Sequence, residues 1–280
     1  MDSEIIDIIN LAIKEDQGDG DHSSLACIPQ NNIGKAILFA KESGIIAGVE
    51  LGKYIFRYID PKCNVEIVKK DGEKVLSGDL ILSVEGNERL LLQSERLVLN
   101  FMQRMSGIAT MVRQYNEAIK GLHTQLLDTR KTTPGLRKIE KWAVRIGGGM
   151  NHRMGLYDMI MLKENHIAYA GGIKKAIQQT QAYLKENNLA IPVEIETQNI
   201  QEVREVLECG GVNRIMLDNY SIEDLKKAIS LIDKRYETEA SGGVNLTTIR
   251  EIANTGVDFI SVGALTHSVK SLDISMLVDR

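Results

Sequence analysis

Cysteine, proline and aromatic residues are all scarce in this chain. Its 280 residues hold three cysteines, four prolines, one tryptophan and 5% aromatics in all. Cys27, Cys63 and Cys209 lie far apart with no CxxC or Cys/His spacing, which speaks against a zinc cluster and against a disulfide framework. No apolar run approaches the ~20 residues that span a membrane. The opening residues, MDSEIIDIINLAIKED, are acidic and amphipathic, where a signal peptide is basic and then apolar. The expected address is the cytoplasm, with no membrane partner. A positive balance is missing too: the formal charge is −4, which argues against a general nucleic-acid binder.

What is present is ordinary in amount and uneven in placement. With 43% hydrophobic and 26% charged residues, the chain has ample core for one large domain or two smaller ones. Between Asp128 and His166 stand eight Lys/Arg and four acids, so that segment is +4 and the rest is −8. A small anion is the natural partner of such an island.

Two rhythms divide the chain. The first residues carry Ile5, Ile8, Ile9, Ala12 and Ile13 at helical spacing over 3–15, ending in the turn-rich DQGDGDHSS. Short strands with Gly and Asp-Gly turns follow from Ile33 to Val84, interrupted by a helix at 51–59. A long helix is expected over 88–120. After it, strands at TQLLDT, YDMIMLK, VEIE, RIML, YETEA and FISVGA alternate with helices at 134–146, 172–187, 199–209, 221–233 and 245–254. Thr133-Pro134 reads as the start of the first of these helices and Gly147 as its stop. Six strand–helix units imply parallel strands with helical crossovers, either a barrel or a doubly wound sheet.

In such folds chemistry gathers at the C-terminal ends of the strands. Those ends read Asp128-Thr129-Arg130-Lys131, Lys163, Glu196, Asp218, Ser241-Gly242-Gly243 and Val262-Gly263-Ala264, and the loop GGGMNHR adds His152 and Arg153. Each has an ordinary reading. Arg130 and Lys131 alone would more often be surface charges, Asp218 a helix cap, and the glycines tight turns. Glu194 shares a strand face with Glu196 by period two and reads best as an interior salt-bridge partner. Their joint occurrence favours a site. Glycine turns with exposed backbone N–H groups suit a phosphate. Two carboxylates in a cationic bowl suit Mg²⁺ carried with a polyphosphate, and the further arginines suit a carboxylate held bidentately.

The stretches DTRKTTPGLRKIEKWAV, GGGMNHRMGLYDMIMLKENH, VEIET, IMLDN, EASGG and SVGALTHS together resemble the quinolinate phosphoribosyltransferases, from EDQGDGD near the N-terminus to the end of the chain. The resemblance implies a mixed α/β, sandwich-like N-terminal domain, 1–106, on an incomplete (β/α) barrel, 107–280, in the type II phosphoribosyltransferase architecture, with the last helix packing back on the first domain. It implies conversion of quinolinate and phosphoribosyl diphosphate to nicotinate mononucleotide, pyrophosphate and CO₂ in NAD biosynthesis, with Mg²⁺. By matched motif, Arg130, His152, Arg153 and Lys163 hold quinolinate, with Thr129 beside them. Lys131 and Lys163 lie near the diphosphate. Glu196 and Asp218 bind ribose hydroxyls and the metal, partly through substrate and water. Ser241, Gly242, Gly243, Val262, Gly263 and Ala264 bind the 5′-phosphate. Lys131, Lys163, Glu196 and Asp218 carry the catalysis. Arg96, in SERLVLN, matches an arginine lent to the neighbouring subunit, which implies a homodimer with shared sites. The chain departs from the family at His22-Ser23-Ser24, where Thr-Thr is common, and a local structural effect is expected. A related molybdenum-locus group typically has proline where this chain has Asn151, and lacks KENH. Two other readings remain open here: a Schiff-base lyase using Lys163 or Lys131, and an anion-binding regulator.

Overall fold

The computed structural model describes residues 1–279. In chain order its first half runs α1 (Ser3–Gln17), α2 (His22–Cys27), β1 (Ile33–Ala40), β2 (Gly44–Ile45), α3 (Val49–Ile59), β3 (Asn64–Ile67), β4 (Lys74–Val75), β5 (Leu80–Asn87) and α4 (Glu88–Ala118). Its second half runs β6 (Gln125–Leu127), α5 (Arg137–Ile146), β7 (Ile160–Leu162), α6 (Glu164–Ala170), α7 (Ile173–Glu186), β8 (Val193–Thr197), α8 (Ile200–Cys209), β9 (Arg214–Asp218), α9 (Ile222–Ile232), β10 (Glu237–Ser241), α10 (Ile249–Ala253), β11 (Phe259–Ser261), α11 (Ala264–His267) and β12 (Ile274–Val278). By packing these form two units. One comprises residues 1–113, 132–148 and 265 onward, and the other 114–131 and 149–264.

The first unit is built on an antiparallel sheet ordered β12-β1-β5-β3. Alternate residues of β1 (Ala36, Leu38, Ala40) are buried, as a half-covered strand requires. Helix α4 supplies Val98, Met102, Met105, Ile108 and Val112 to its core, each fully buried. Gly107 on α4 has a positional reason: a Cβ there would fall 2.3 Å from the Lys270 carbonyl oxygen, so only glycine admits the C-terminal segment so close. The C-terminal segment is a strand, β12, where the sequence reading placed a helix. Ala36 pairs with Val278 and Ala40 with Ile274, so the returning chain adds an edge to the sheet. His22, Ser23 and Ser24, read as the end of a turn-rich break, instead open α2, because the capping Asp21 carboxylate accepts the Ser24 amide (3.1 Å) and also the Ser24 hydroxyl. The departure at His22-Ser23-Ser24 thus sits in a helix's first turn.

Helix α5 also belongs to this first unit and starts at Arg137, three residues later than expected. Thr133 does not cap it: its amide (3.1 Å) and hydroxyl (2.7 Å) both donate to Glu140, a fully buried carboxylate that also accepts two bonds from Arg104. Gly147 does end it, with its amide on Ala143 O.

The second unit is a six-stranded parallel sheet ordered β6-β11-β10-β9-β8-β7, the sheet of the incomplete α/β barrel. One face carries Leu126, Ile195, Ile215, Leu217, Ala240 and Ile260, all buried. By period two the other face carries Glu194 and Glu196, Met216 and Asp218, and Glu239 and Ser241. Helix α6 went unread, since the sequence offers no cap signal; His166 Nδ1 accepts the Lys163 amide (3.0 Å) and closes its first turn. Helix α10 starts at Ile249, not 245, because the Asn245 side chain accepts the amides of Thr247 and Thr248 and holds 245–248 as a turn.

Candidate active site

Every residue expected at the site apart from Arg96 falls in the parallel-sheet unit, at or just beyond the C-terminal ends of its strands. Depth along each strand sorts the polar side chains. Glu194 and Glu239 are deep and wholly buried, whereas Glu196 on β8 keeps 13% of its side chain exposed and pairs with Lys163 Nζ at 3.5 Å. Asp218 and Ser241 pair in register at the last positions of β9 and β10.

The deep residues form one network. Arg214 donates to Glu239 Oε2 (3.0 Å) and Glu237 Oε2 (2.9 Å) and stacks over the Phe259 ring at 4.1 Å. His152 Nε2 lies 3.0 Å from Glu194 Oε2 and 3.3 Å from Glu239 Oε2. Burial opposes a charged imidazole, but the two carboxylates outweigh it and push His152 up to about 9. Glu194 is pushed up to about 7, first by burial and then by Glu239. Neither Glu194 oxygen has an aligned hydrogen-bond donor, so its link to the imidazole is a close charge contact. The Arg153 amide points at His152 Nδ1 (2.6 Å), which fits a ring whose first proton is on Nε2. A second proton on Nδ1 must displace that contact. His152, Glu194 and Glu239 also have the spacing of a metal-ligand cluster. With Nδ1 accepting the Arg153 amide, Nε2 is the nitrogen that carries the ring proton toward both carboxylates, and Arg214 adds a cation to Glu239. His152, matched by motif to the quinolinate site, therefore turns its ring toward the deep acids.

That network supports the loop carrying Arg153. Asp128, fully buried at the end of β6, accepts the His152 amide (2.8 Å) and the Asn151 side chain (2.6 Å). Arg153 Nη1 donates to Met159 O (3.1 Å), and Asp158 accepts the amides of Met154 (2.7 Å) and Gly155 (2.9 Å). Burial, with the charge of Arg130 next, holds the Arg153 guanidinium below its usual range. Two guanidiniums within electrostatic reach of each other make a receptor for a small dianion. Thr129 Oγ1 accepts the Lys131 amide at 3.0 Å and fixes the turn after Arg130.

The glycine turns differ. Gly242 (φ +94°) and Gly243 (φ +61°) both adopt left-handed backbone in the turn after β10, Gly243 facing open space and Gly242 packed against Asn219. Val262, by contrast, gives its amide to Leu127 O (3.0 Å) as part of the sheet, so its N–H is not offered to a ligand. Gly263 and Ala264 follow at the start of α11. Glu239 and Asn219 are the polar residues that sequence reasoning passed over. The period-two run Glu237, Glu239, Ser241 was the available signal for the first. Arg96 lies exposed on α4 in the other unit.

Residues 21–106 match the family model described as quinolinate phosphoribosyl transferase, N-terminal domain, and residues 108–277 the one described as its C-terminal domain. A quinolinate phosphoribosyltransferase (decarboxylating) 2 of Nicotiana glauca, named as mitochondrial, is 49% identical over 98% of this chain and 82% of its own. A probable nicotinate-nucleotide pyrophosphorylase (carboxylating) of Synechocystis is 42% identical over 96% of this chain and 90% of its own. The crystal structure of NadC from Streptococcus pyogenes, 42% identical, matches with a TM-score of 0.93 over 99% of this chain and 98% of that one.

Proposed function

This chain belongs to the quinolinate phosphoribosyltransferase family, and on that premise we propose which of its own residues do each part of the work. The reaction is a decarboxylating phosphoribosyl transfer in NAD biosynthesis. Quinolinate and phosphoribosyl diphosphate give nicotinate mononucleotide, pyrophosphate and CO₂. The observation that carries the assignment is the family match over residues 21–106 and 108–277, which covers the cationic loops and the acid-bearing strand ends together.

Arg130, Arg153 and Lys163 hold the two quinolinate carboxylates, with His152 and its acids forming the floor that keeps Arg153 in place. Ser241, Gly242 and Gly243, with Gly263 and Ala264, take the 5′-phosphate through main-chain groups. The pyridine nitrogen attacks C1 of the ribose as the C1–O bond to pyrophosphate breaks. Glu196 and Asp218 steady the electron-poor sugar, and Lys131 offsets charge on the departing diphosphate. Once alkylated, the ring nitrogen is cationic. Its positive charge stabilises the electron pair that stays on C2 when the C2 carboxylate departs as CO₂, and that pair then takes a proton from water.

Glu196 and Asp218, on neighbouring strands, fit Mg²⁺. Each has one oxygen engaged, by Lys163 and by Asn219, and a pair of carboxylates without a closed cage suits a cation that also takes phosphate oxygens and water. When bound there, Mg²⁺ would neutralise charge on the diphosphate. The proposal extends to a homodimer in which Arg96 completes the partner's site, and to a cytoplasmic place of action, checked by fractionating the native cell. Among the described residues no helix is long and apolar enough to cross a membrane.

The test is incubation with quinolinate, phosphoribosyl diphosphate and Mg²⁺, scored for CO₂ and nicotinate mononucleotide, with nicotinate as the alternative acid. Quinolinate should be consumed and nicotinate should not, because nicotinate lacks the C2 carboxylate that the cationic loops would grip and that the reaction expels. Comparable turnover of both acids would remove the proposed role of the paired arginines.

A further inference from the structure

Asn219 follows Asp218 at the end of β9 and takes φ +58°, the left-handed region that asparagine tolerates better than most residues. Its amide and both side-chain polar atoms face Asp218 and the turn after β10, the two halves of the proposed phosphoribosyl diphosphate site. Its amide donates to Ser241 O (2.8 Å), the last residue of β10 before the glycine turn. Its Nδ2 donates to Asp218 Oδ2 (2.7 Å). Its Oδ1 lies so close to Gly242 that a Cβ on that glycine would fall 2.1 Å from it. The next residue anchors the loop on the opposite side: the Tyr220 hydroxyl donates to Thr197 Oγ1 (3.2 Å), which donates to Met216 O (3.0 Å).

We propose that Asn219 is a positioning residue, a clamp that fixes the Asp218 carboxylate relative to the Gly242–Gly243 turn. It thereby sets the spacing between the ribose end and the 5′-phosphate end of phosphoribosyl diphosphate. This rests on the roles given above to Asp218 and to the turn. A carboxylate held by one oxygen cannot rotate freely about χ2, and its other oxygen is presented in one direction. The amide that holds it also fills the space a side chain at 242 would occupy. Any displacement of Asp218 is thus transmitted to the phosphate turn through one rigid planar group.

A plain turn-former at 219 would need only its backbone, and glycine supplies that conformation without strain. Asn219→Gly therefore keeps the φ and the bond to Ser241 O while removing the amide alone. The clamp predicts that Asn219→Gly raises KM for phosphoribosyl diphosphate and lowers kcat, each by roughly three- to tenfold, so that kcat/KM falls by roughly ten- to a hundredfold, the scale of one hydrogen bond to a charged group. Quinolinate affinity by calorimetry should stay within about twofold of wild type, since the acid pocket is built from other loops. Asn219→Asp, which keeps the volume but turns the donor into a second carboxylate, should be worse than glycine. It also decides the matter if the glycine variant fails to fold. Asp218→Asn is measured in parallel. If it is crippled while Asn219→Gly and Asn219→Asp match wild type, the clamp is wrong and the reading of the site stands. If Asp218→Asn is itself near wild type, the reading of Asp218 falls and the clamp falls with it. Loss of quinolinate affinity equal to the loss for phosphoribosyl diphosphate would make Asn219 a general structural residue and overturn its assignment.

Discussion

Glu194 and Glu196 stand two residues apart on one strand and face the same way, yet they live in different chemistry. Glu194 shares its proton economy with His152 and Glu239 in a dry interior, while Glu196 meets Lys163 at a half-open strand end. The interior cluster has a pH signature. The folded His152 is pushed up to about 9 and Glu194 up to about 7, both above their unfolded values. Groups raised in this way stabilise the fold on the acid side, and that contribution is lost as pH rises. This contribution should therefore be lost as pH rises from ~4.5, where unfolded Glu194 titrates, to ~9, with a loss on the order of 3 kcal/mol seen as a falling melting temperature. In Glu194→Gln the decline should be shallower, and an unchanged slope by calorimetry would place the titration elsewhere. At the strand ends Lys131→Ala should lower kcat by roughly ten- to a hundredfold, the scale of one removed transition-state charge. Quinolinate binding should change far less. Loss confined to quinolinate affinity would move Lys131 to the acid pocket. The shallow residues were legible in sequence because strand-end position and residue type together mark them. Glu194 was legible as an interior partner by its period. His152's inward turn was not, because it depends on Glu239, three strands and 87 positions away.

At the scale of elements, α5 shows how a charged pair can hold a helix. Glu140 is fully buried and accepts bonds from Arg104 on α4 and from both the amide and hydroxyl of Thr133, while Arg104 also reaches the carbonyls of Thr266 and Val269. Removing one partner of such a network leaves the other charge uncompensated. Glu140→Ala should cost about 3 kcal/mol, the lower end for breaking a buried pair because Arg104 keeps a quarter of its side chain exposed. Chemical denaturation measures this, and a loss under about 1 kcal/mol would show that the network is idle. In the parallel-sheet unit the longer helices α7, α8 and α9 were read from their period, and the strands, three to five residues long, from apolar runs alternating with those helices. Helix α2, α6 and strand β12 escaped that reading. They are set by a single capping carboxylate, by an imidazole at a first turn, and by pairing with a strand more than two hundred residues earlier.

For the whole molecule, the proposal that carries furthest is the shared site. Arg96 and Arg153 lie in different units of the chain, and the family motif assigns both to quinolinate. Arg96→Ala and Arg153→Ala should each be nearly inactive alone. Unfolded together in equal amounts and refolded, half the dimers should be mixed, and each mixed dimer holds one site with both arginines. Activity should recover to roughly a quarter of wild type by the counting a two-fold axis imposes. No recovery among demonstrated mixed dimers would leave Arg96 to its own subunit.

The strand orders carry a consequence for how the chain is made. β1 waits for β12, and β6 waits for β11, which lies more than 130 residues downstream. Each sheet thus keeps an unpaired edge until a strand far downstream has been made. Such pairings close long loops and are slow to form. During synthesis β1 presents its edge to any neighbouring nascent chain, a hazard that a protein built of sequential hairpins avoids. β12 is made more than two hundred residues after β1, so the sheet of the first unit gains its fourth strand long after the other three are in place.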